Sequence, residues 1–297
     1  MAALLLAGAA RATAFEFRDG DCVAMLGATL MERDQHYGAF ESAMTLAAGT
    51  NRVTFRNLAW SADTVFGDSR SYFGTPADGL ARLTNNFALV KPTVVMSCYG
   101  ADVAFDENFA AALQKFIAGY RSWLDLVKTA ANNPRIVIIA PPPLENLPPP
   151  RPNHDAENAN LAKLREALKS LAAERQATFV DLFERMKSLK PRTPLTDNGV
   201  HFTKAGYDVL SQAMLFELGF ALQKSSDAKL RGLIVRKDEL FFNRYRPHNE
   251  TYLFLFRKHE QGKNAAEIPQ FDPLIAEGDA LIHKAKLELL KTEKASR

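Results

Sequence analysis

Short runs of uninterrupted apolar residues alternate along this chain with longer segments of helical period. Cys22-Val23-Ala24-Met25-Leu26 closes on Gly27, and Arg52–Leu58 carries Val53 and Phe55 with Asn57 near its end. Val94-Val95-Met96-Ser97-Cys98 closes on Tyr99-Gly100, and Ile136–Ile139 and Thr178–Asp181 follow. Helical spacing runs over Tyr37–Ala48, Ala77–Phe87, Phe109–Asn132 and Asn158–Gln176, and a further helix starts near Thr203. A strand that is apolar on both sides has no face for water. It belongs in a parallel sheet covered by helices above and below. The fold class is therefore α/β: a three-layer α/β/α sandwich on a five-stranded parallel sheet.

Composition narrows the rest. The chain has 297 residues, 47% hydrophobic, enough for one large domain with an appendage. A net charge of +3 is too small an excess to argue for nucleic acid. Cys22 and Cys98 are too few for a disulfide scaffold. They fall near opposite ends of their strands, beyond the ~7 Å reach of a bridge, so they read as buried free thiols. His154, His248, His259 and His283 lack metal-ligand spacing and read as surface residues, so neither metal nor cofactor is expected. His36 is a candidate for lining a site.

Residues 1–14 hold a short apolar run and then Ala12-Thr13-Ala14, a small-x-small pattern that reads as an export signal. The mature chain would start near Phe15 and be periplasmic or secreted; the alternative is a buried N-terminal helix. No other segment approaches membrane-spanning length. A main domain is expected over 15–223 and a mainly helical extension over 224–297.

In parallel α/β sheets ligands bind beyond the carboxyl ends of the strands. Those ends here carry Gly27-Ala28-Thr29, Asn57–Thr64, Tyr99-Gly100-Ala101-Asp102 and Pro141–Asn146. Near the end of the main domain, Asp197-Asn198-Gly199 forms a turn that presents His201, just before the helix that Thr203 caps. An imidazole on such a corner suits a general base near neutral pH, and plain solvation is the alternative.

The order Gly-x-Thr, Ser-Ala-Asp, Gly-x-Asp and Asn-x-x-His resembles the four blocks of the SGNH (GDSL-type) esterase superfamily, in a divergent bacterial subgroup. The resemblance covers Asp21 to Leu222 and implies a flavodoxin-like sandwich. It puts Thr29 at the nucleophile and first oxyanion donor, Ala62 at the second donor, and Asp102 at the third. It puts His201 at the base, with Asn198 as its orienting residue and Asp197 one residue away as a substitute. Trp60, Ser61, Glu145 and Asn146 become candidate substrate contacts; a turn set by Pro141–Pro143 is the alternative for the last two.

Each departure from the pattern has a physical cost. The threonine methyl crowds the attacking lone pair. Ala62 keeps its N–H, provided that the backbone there does not need positive φ. An ionised Asp102 would repel an oxyanion that a donor stabilises by about 3–4 kcal/mol, and it helps only if protonated. Asn198 can accept the Nδ1 proton through its amide oxygen, whereas the opposite amide orientation favours the wrong tautomer.

Two functions follow. The first is an exported ester hydrolase removing acyl groups, acetyl above all, from carbohydrate or a related small ester through the Thr29–His201 pair. The second is a catalytically impaired module that binds carbohydrate or protein. In the extension, aromatics and arginines over Phe241–Arg246 suit a substrate wall or a protein-partner face. Alternatively Phe241, Phe242, Leu253 and Phe254 simply glue the extension to the sandwich.

Overall fold

The computed structural model describes residues 15–189, 191–222 and 227–295. The expected leader and the expected boundary at 223/224 lie outside the described residues. Five strands form one sheet: β1 (Cys22–Gly27), β2 (Thr54–Asn57), β3 (Val94–Cys98), β4 (Arg135–Ala140) and β5 (Thr178–Asp181). Their order is β2-β1-β3-β4-β5 and every pairing is parallel. The helices are α1 (Thr29–Arg33), α2 (Ala39–Ala47), α3 (Pro76–Val90), α4 (Phe109–Ala130), α5 (Asp155–Glu174), α6 (Leu182–Ser188) and α7 (Lys204–Glu217). The extension adds α8 (Ala228–Tyr245), α9 (Glu250–Leu253), α10 (Lys258–Gln261) and α11 (Phe271–Ala295).

The strand alternation sorts two cores. Val23 and Met25 of β1 pack with α2 and α7, while Ala24 and Leu26 pack with α3, α4 and α5. Both sets are fully buried, which is why the strands read as unbroken apolar runs. Each large side chain buried this way contributes roughly 1.5–3 kcal/mol. The sandwich, its five parallel strands and the helical extension are as the sequence predicts. Cys22 and Cys98 are free thiols.

The extension covers an edge. Strand β2 pairs only with β1; α8 lies along its open side and α11 packs on α8. The Lys237 ammonium on α8 donates to the Phe55 carbonyl of β2 at 3.1 Å, to Glu41 Oε2 at 2.7 Å and to Asp238 Oδ1 at 2.6 Å. Arg56 of β2 forms a bidentate pair with Asp279 of α11 at 2.5 and 3.1 Å. Lys237, Glu41 and Asp238 are all buried, and burial pushes both carboxyls above their ordinary values. Phe241 and Leu253 are buried as glue, and Phe242 is half-buried. Phe254 corrects the expectation: at the C-cap of the short α9 it is 47% exposed.

Asp34, wholly buried, accepts the first amides of α2, from Ala39 at 2.9 Å and Phe40 at 3.1 Å. Burial pushes its carboxyl up to about 7. The native state therefore keeps a proton that the unfolded chain gives up near the ordinary carboxylate value. Its contribution to stability is full below about pH 4 and is lost as pH rises through about 7. Asp34→Asn keeps the acceptor oxygen and should flatten the fall in unfolding free energy over that window, read by urea denaturation at several pH values. Lys237→Met removes the ammonium between two buried carboxyls and should cost about 3–5 kcal/mol at neutral pH. The cost should shrink in acid, where both carboxyls are neutral; an unchanged urea midpoint would exclude the network as the anchor of the extension.

Candidate active site

Strand β1 ends on Gly27 at φ 142°, where a Cβ would lie 2.4 Å from the Cys98 carbonyl of β3. Only glycine fits there, and the tight exit sends the chain straight into α1 with Thr29 at its first turn. A cavity of about 270 Å³ opens beside it. Its walls are mostly apolar, from Leu30, Phe105, Pro141–Pro143, Val200 and Phe202. Thr29, Ala62, Asp102 and His201 all line it.

The loop after β2 brings Ala62 to Thr29. Trp60 N–H donates to the Gly27 carbonyl at 3.0 Å, and Ala62 N–H points at Thr29 Oγ1 from 3.4 Å. Ala62 sits at φ 58°, so the backbone does need the left-handed region that the sequence reading hoped to avoid. A β-carbon there costs roughly 1–2 kcal/mol. Trp60 and Ser61 are not pocket residues. Trp60 is 5% exposed, with the guanidinium of Arg246 over its ring at 3.5 Å and that of Arg70 at 5.5 Å. The Ser61 hydroxyl is taken by Glu32. Burying the indole needed cationic partners from α8 and from the Asp68–Arg70 turn, which no local pattern announces.

His201 follows the Asp197–Val200 turn. Asn198 Oδ1 accepts from the backbone of Val200 at 3.1 Å and of His201 at 2.9 Å, and its Nδ2 lies 2.9 Å from His201 Nδ1. Backbone N–H groups only donate, so the atom facing both is the amide oxygen and the amino group faces the ring. Nδ1 then accepts, and the ring proton sits on Nε2. This corrects the expectation that the Asn198 oxygen takes the Nδ1 proton: that oxygen is already committed to the turn. Asp197 does not replace it; among the described residues its side chain makes no hydrogen bond, and only its backbone bonds His201 and Arg151. No hydrogen bond joins Thr29 to His201 among the described residues.

The segment after β4 is structural. Glu145 accepts from the Leu195 and Thr196 amides at 2.8–3.1 Å and from the Thr196 hydroxyl at 2.5 Å. Asn146 accepts from His154 N–H and donates to Asp155, both at 2.7 Å. Both side chains bond backbone and neighbours, and neither lines the cavity beside Thr29, as a turn would have it. His154 is also corrected: it is 5% exposed, and a β-carbon on Gly199 would lie 2.9 Å from its Nε2, so its ring packs against the turn that carries His201. His36 is exposed and lines a separate cleft beside α8.

Asp102 is open to the cavity mouth, yet packed chain on its other side pushes its carboxyl up against the pull of its own amide and that of Val103. Its neutral form is favoured relative to an ordinary aspartate. Cys98 also lines the cavity, and burial pushes its thiol up to about 12, so no thiolate competes with Thr29 near neutral pH. The sequence reading missed Arg33, whose guanidinium donates to Tyr37 Oη at 3.3 Å on the cavity wall, and Tyr207, whose hydroxyl donates to the Leu30 carbonyl at 2.7 Å. Helical spacing from α1 to α7 does not reveal that pairing; it requires the fold.

The family model for GDSL-like lipases and acylhydrolases matches residues 24–209, well over half of the chain. The chain belongs to that family, a class of ester-bond hydrolases. Among solved structures it resembles a catalytic mutant of an acetylxylan esterase from Geobacillus stearothermophilus, at 21% identity and TM-score 0.51, covering 71% of this chain and all of that one. It also resembles a gut microbial diltiazem-metabolizing enzyme, at 17% identity and TM-score 0.54, covering 70% of this chain and 49% of that one. Those similarities establish the shared fold. No curated protein sequence matches the chain.

Ala62→Gly removes the left-handed strain but frees the unfolded chain by about 0.5–1 kcal/mol, so the net gain should be about 0–1.5 kcal/mol. Thermal and urea unfolding would read it, and a loss of stability would mean that Ala62 is not strained.

Proposed function

We propose that the chain is an acyl-ester hydrolase in which Thr29 is the nucleophile and His201 the base, acting on acylated carbohydrate or a related small ester. The observation that supports it most is the meeting of Thr29, the Ala62 N–H and His201 on one apolar-walled cavity. Thr29 Oγ1 attacks the ester carbonyl while its proton passes to His201. The oxyanion faces the N–H groups of Thr29 and Ala62, and Asp102 adds a third donor only where its carboxyl carries a proton. Collapse expels the alcohol, which takes the proton from His201. Water then cleaves the acyl-threonine by the same groups in reverse.

The likeness to an acetylxylan esterase supports carbohydrate ester as the substrate class. The apolar run at residues 1–14 supports export to a periplasmic or secreted location. Exposed Phe254 and Phe256 support a protein-facing side on the extension.

One observation favours the second reading, a module that binds without turnover: the Asn198 amide holds the Nε2–H tautomer. For His201 to act as base through Nε2, that amide must turn and give up both backbone bonds. Turnover in the parent is therefore slow on this mechanism. Asn198→Asp supplies an oxygen for Nδ1–H without releasing the turn, and should raise kcat on an activated acetyl ester by on the order of 10³–10⁴. Thr29→Ser with Asp102→Asn should raise it by about a hundredfold, the two changes not simply adding. His201→Ala should abolish cleavage in every background. If all variants stay at the buffer rate while folded, the hydrolase reading falls and the binding module stands.

A further inference from the structure

The loop that carries Ala62 is held from outside the sandwich. Tyr245, the last residue of α8, donates its hydroxyl to the Ala59 carbonyl at 3.1 Å. The next residue, Arg246, lies over the Trp60 ring at 3.5 Å and donates to Glu32 Oε1 at 2.5 Å. The other oxygen of Glu32 accepts from the Ser61 hydroxyl. Ala59, Trp60 and Ser61, the residues just before Ala62, are thus each gripped by α8 directly or through Glu32. Arg246 and Glu32 are largely withdrawn from solvent, at 23% and 13% exposure of their side chains, so this pair is not a freely solvated surface bridge.

The grip has a purpose at Ala62. A left-handed alanine relaxes toward ordinary backbone unless its neighbours forbid it. Relaxation would swing its N–H away from Thr29 Oγ1. The sandwich anchors the loop on both sides of Ala62: before it by the Trp60 N–H on the Gly27 carbonyl at 3.0 Å, and after it by the buried Asp63, which accepts from Arg70 Nε at 2.6 Å and from the Tyr99 hydroxyl at 3.2 Å. Arg70, entirely buried, adds a bond from its Nη2 to the Leu58 carbonyl at 2.6 Å. These bonds hold the backbone on either side of Ala62. The planar guanidinium of Arg246, covering the indole and tied to the helix that bears Thr29, fixes the Trp60–Ser61 stretch relative to the nucleophile.

We infer that Arg246, with Tyr245, is a positioning residue for the Ala62 oxyanion donor, so that the helical extension completes the active site of the sandwich. This rests on the reading of Ala62 as an oxyanion donor, and it assigns the aromatic and basic end of α8 to positioning rather than to a substrate wall.

The test compares the full-length parent with Arg246→Ala and Arg246→Lys. Amide exchange followed by mass spectrometry should show segment 58–64 exchanging about tenfold faster in Arg246→Ala, with β1 and β3 unchanged. Arg246→Lys, which keeps the charge for Glu32 but not the plane over Trp60, should fall between. On an activated acetyl ester, Arg246→Ala should lower kcat by about ten- to a hundredfold with KM within about twofold. If Arg246→Ala does not fold, Glu32→Gln weakens the same link and should show the same local loosening. Unchanged exchange over 58–64 overturns the inference, as does a raised KM with kcat intact, which would make Arg246 a substrate contact. Should the parent and every active-site variant show no turnover, the hydrolase reading fails by itself, and the exchange comparison alone decides the positioning.

Discussion

The placement of the site begins with the contact between the Cα of Gly27 and the carbonyl of Cys98. Adjacent parallel strands leave room for side chains above and below, but not between a strand's last residue and its neighbour's carbonyl. With a β-carbon excluded at 2.4 Å, β1 turns out of the sheet within one residue and Thr29 lands over the sheet's carboxyl edge. The carbonyl of Gly27 then remains free to receive Trp60, which draws the β2 loop to the same edge. One missing methyl group thus brings the hydroxyl and the amide that faces it together. The rest of the rim is arranged around that pair.

The opposite wall is organised by a carboxylate. Glu145 gathers the Leu195 and Thr196 amides and a hydroxyl, fixing the start of the segment that leads to His201. Its own N–H holds the Gly199 carbonyl at 2.8 Å, so the β4 loop and the histidine turn are clasped at two points. His154 fills the space behind Gly199. The site is rigid on both sides of the cavity, and its chemical weakness lies in which atoms were placed there. An asparagine amide that must satisfy two backbone donors has only its amino group left for imidazole.

The sheet was legible because its signal is additive. Each strand shows an apolar run and each helix its own period, so a misplaced end, as at Arg52 against the observed Thr54, changes nothing else. Positions close to the chain's own turns were legible too: Thr29, Ala62, Asp102 and His201 do line one cavity. What could not be read were side chains whose partners come from far along the chain. Trp60 looked like a substrate contact because an indole in a rim loop usually is one, but Arg246 covers it. Glu145 looked like a sugar ligand, yet backbone amides fifty residues away claim it. Asn198 is the subtlest: the sequence places it beside His201, and the orientation of its amide follows only from the bonds around it.

The buried Lys237 carries a consequence for how the protein is made. Its ammonium ends on the Phe55 carbonyl, on the edge of β2 that no strand covers, beside the bond that Arg56 of the same strand donates to that oxygen at 2.7 Å. That lysine follows every element of the sandwich in the sequence. Until α8 arrives, a nascent chain that already holds its sheet presents an open, unpaired edge. The last quarter of the polypeptide is therefore also a closing seal. A released chain cut short before α8 would leave that edge uncovered, ready to pair edge to edge with its own copies.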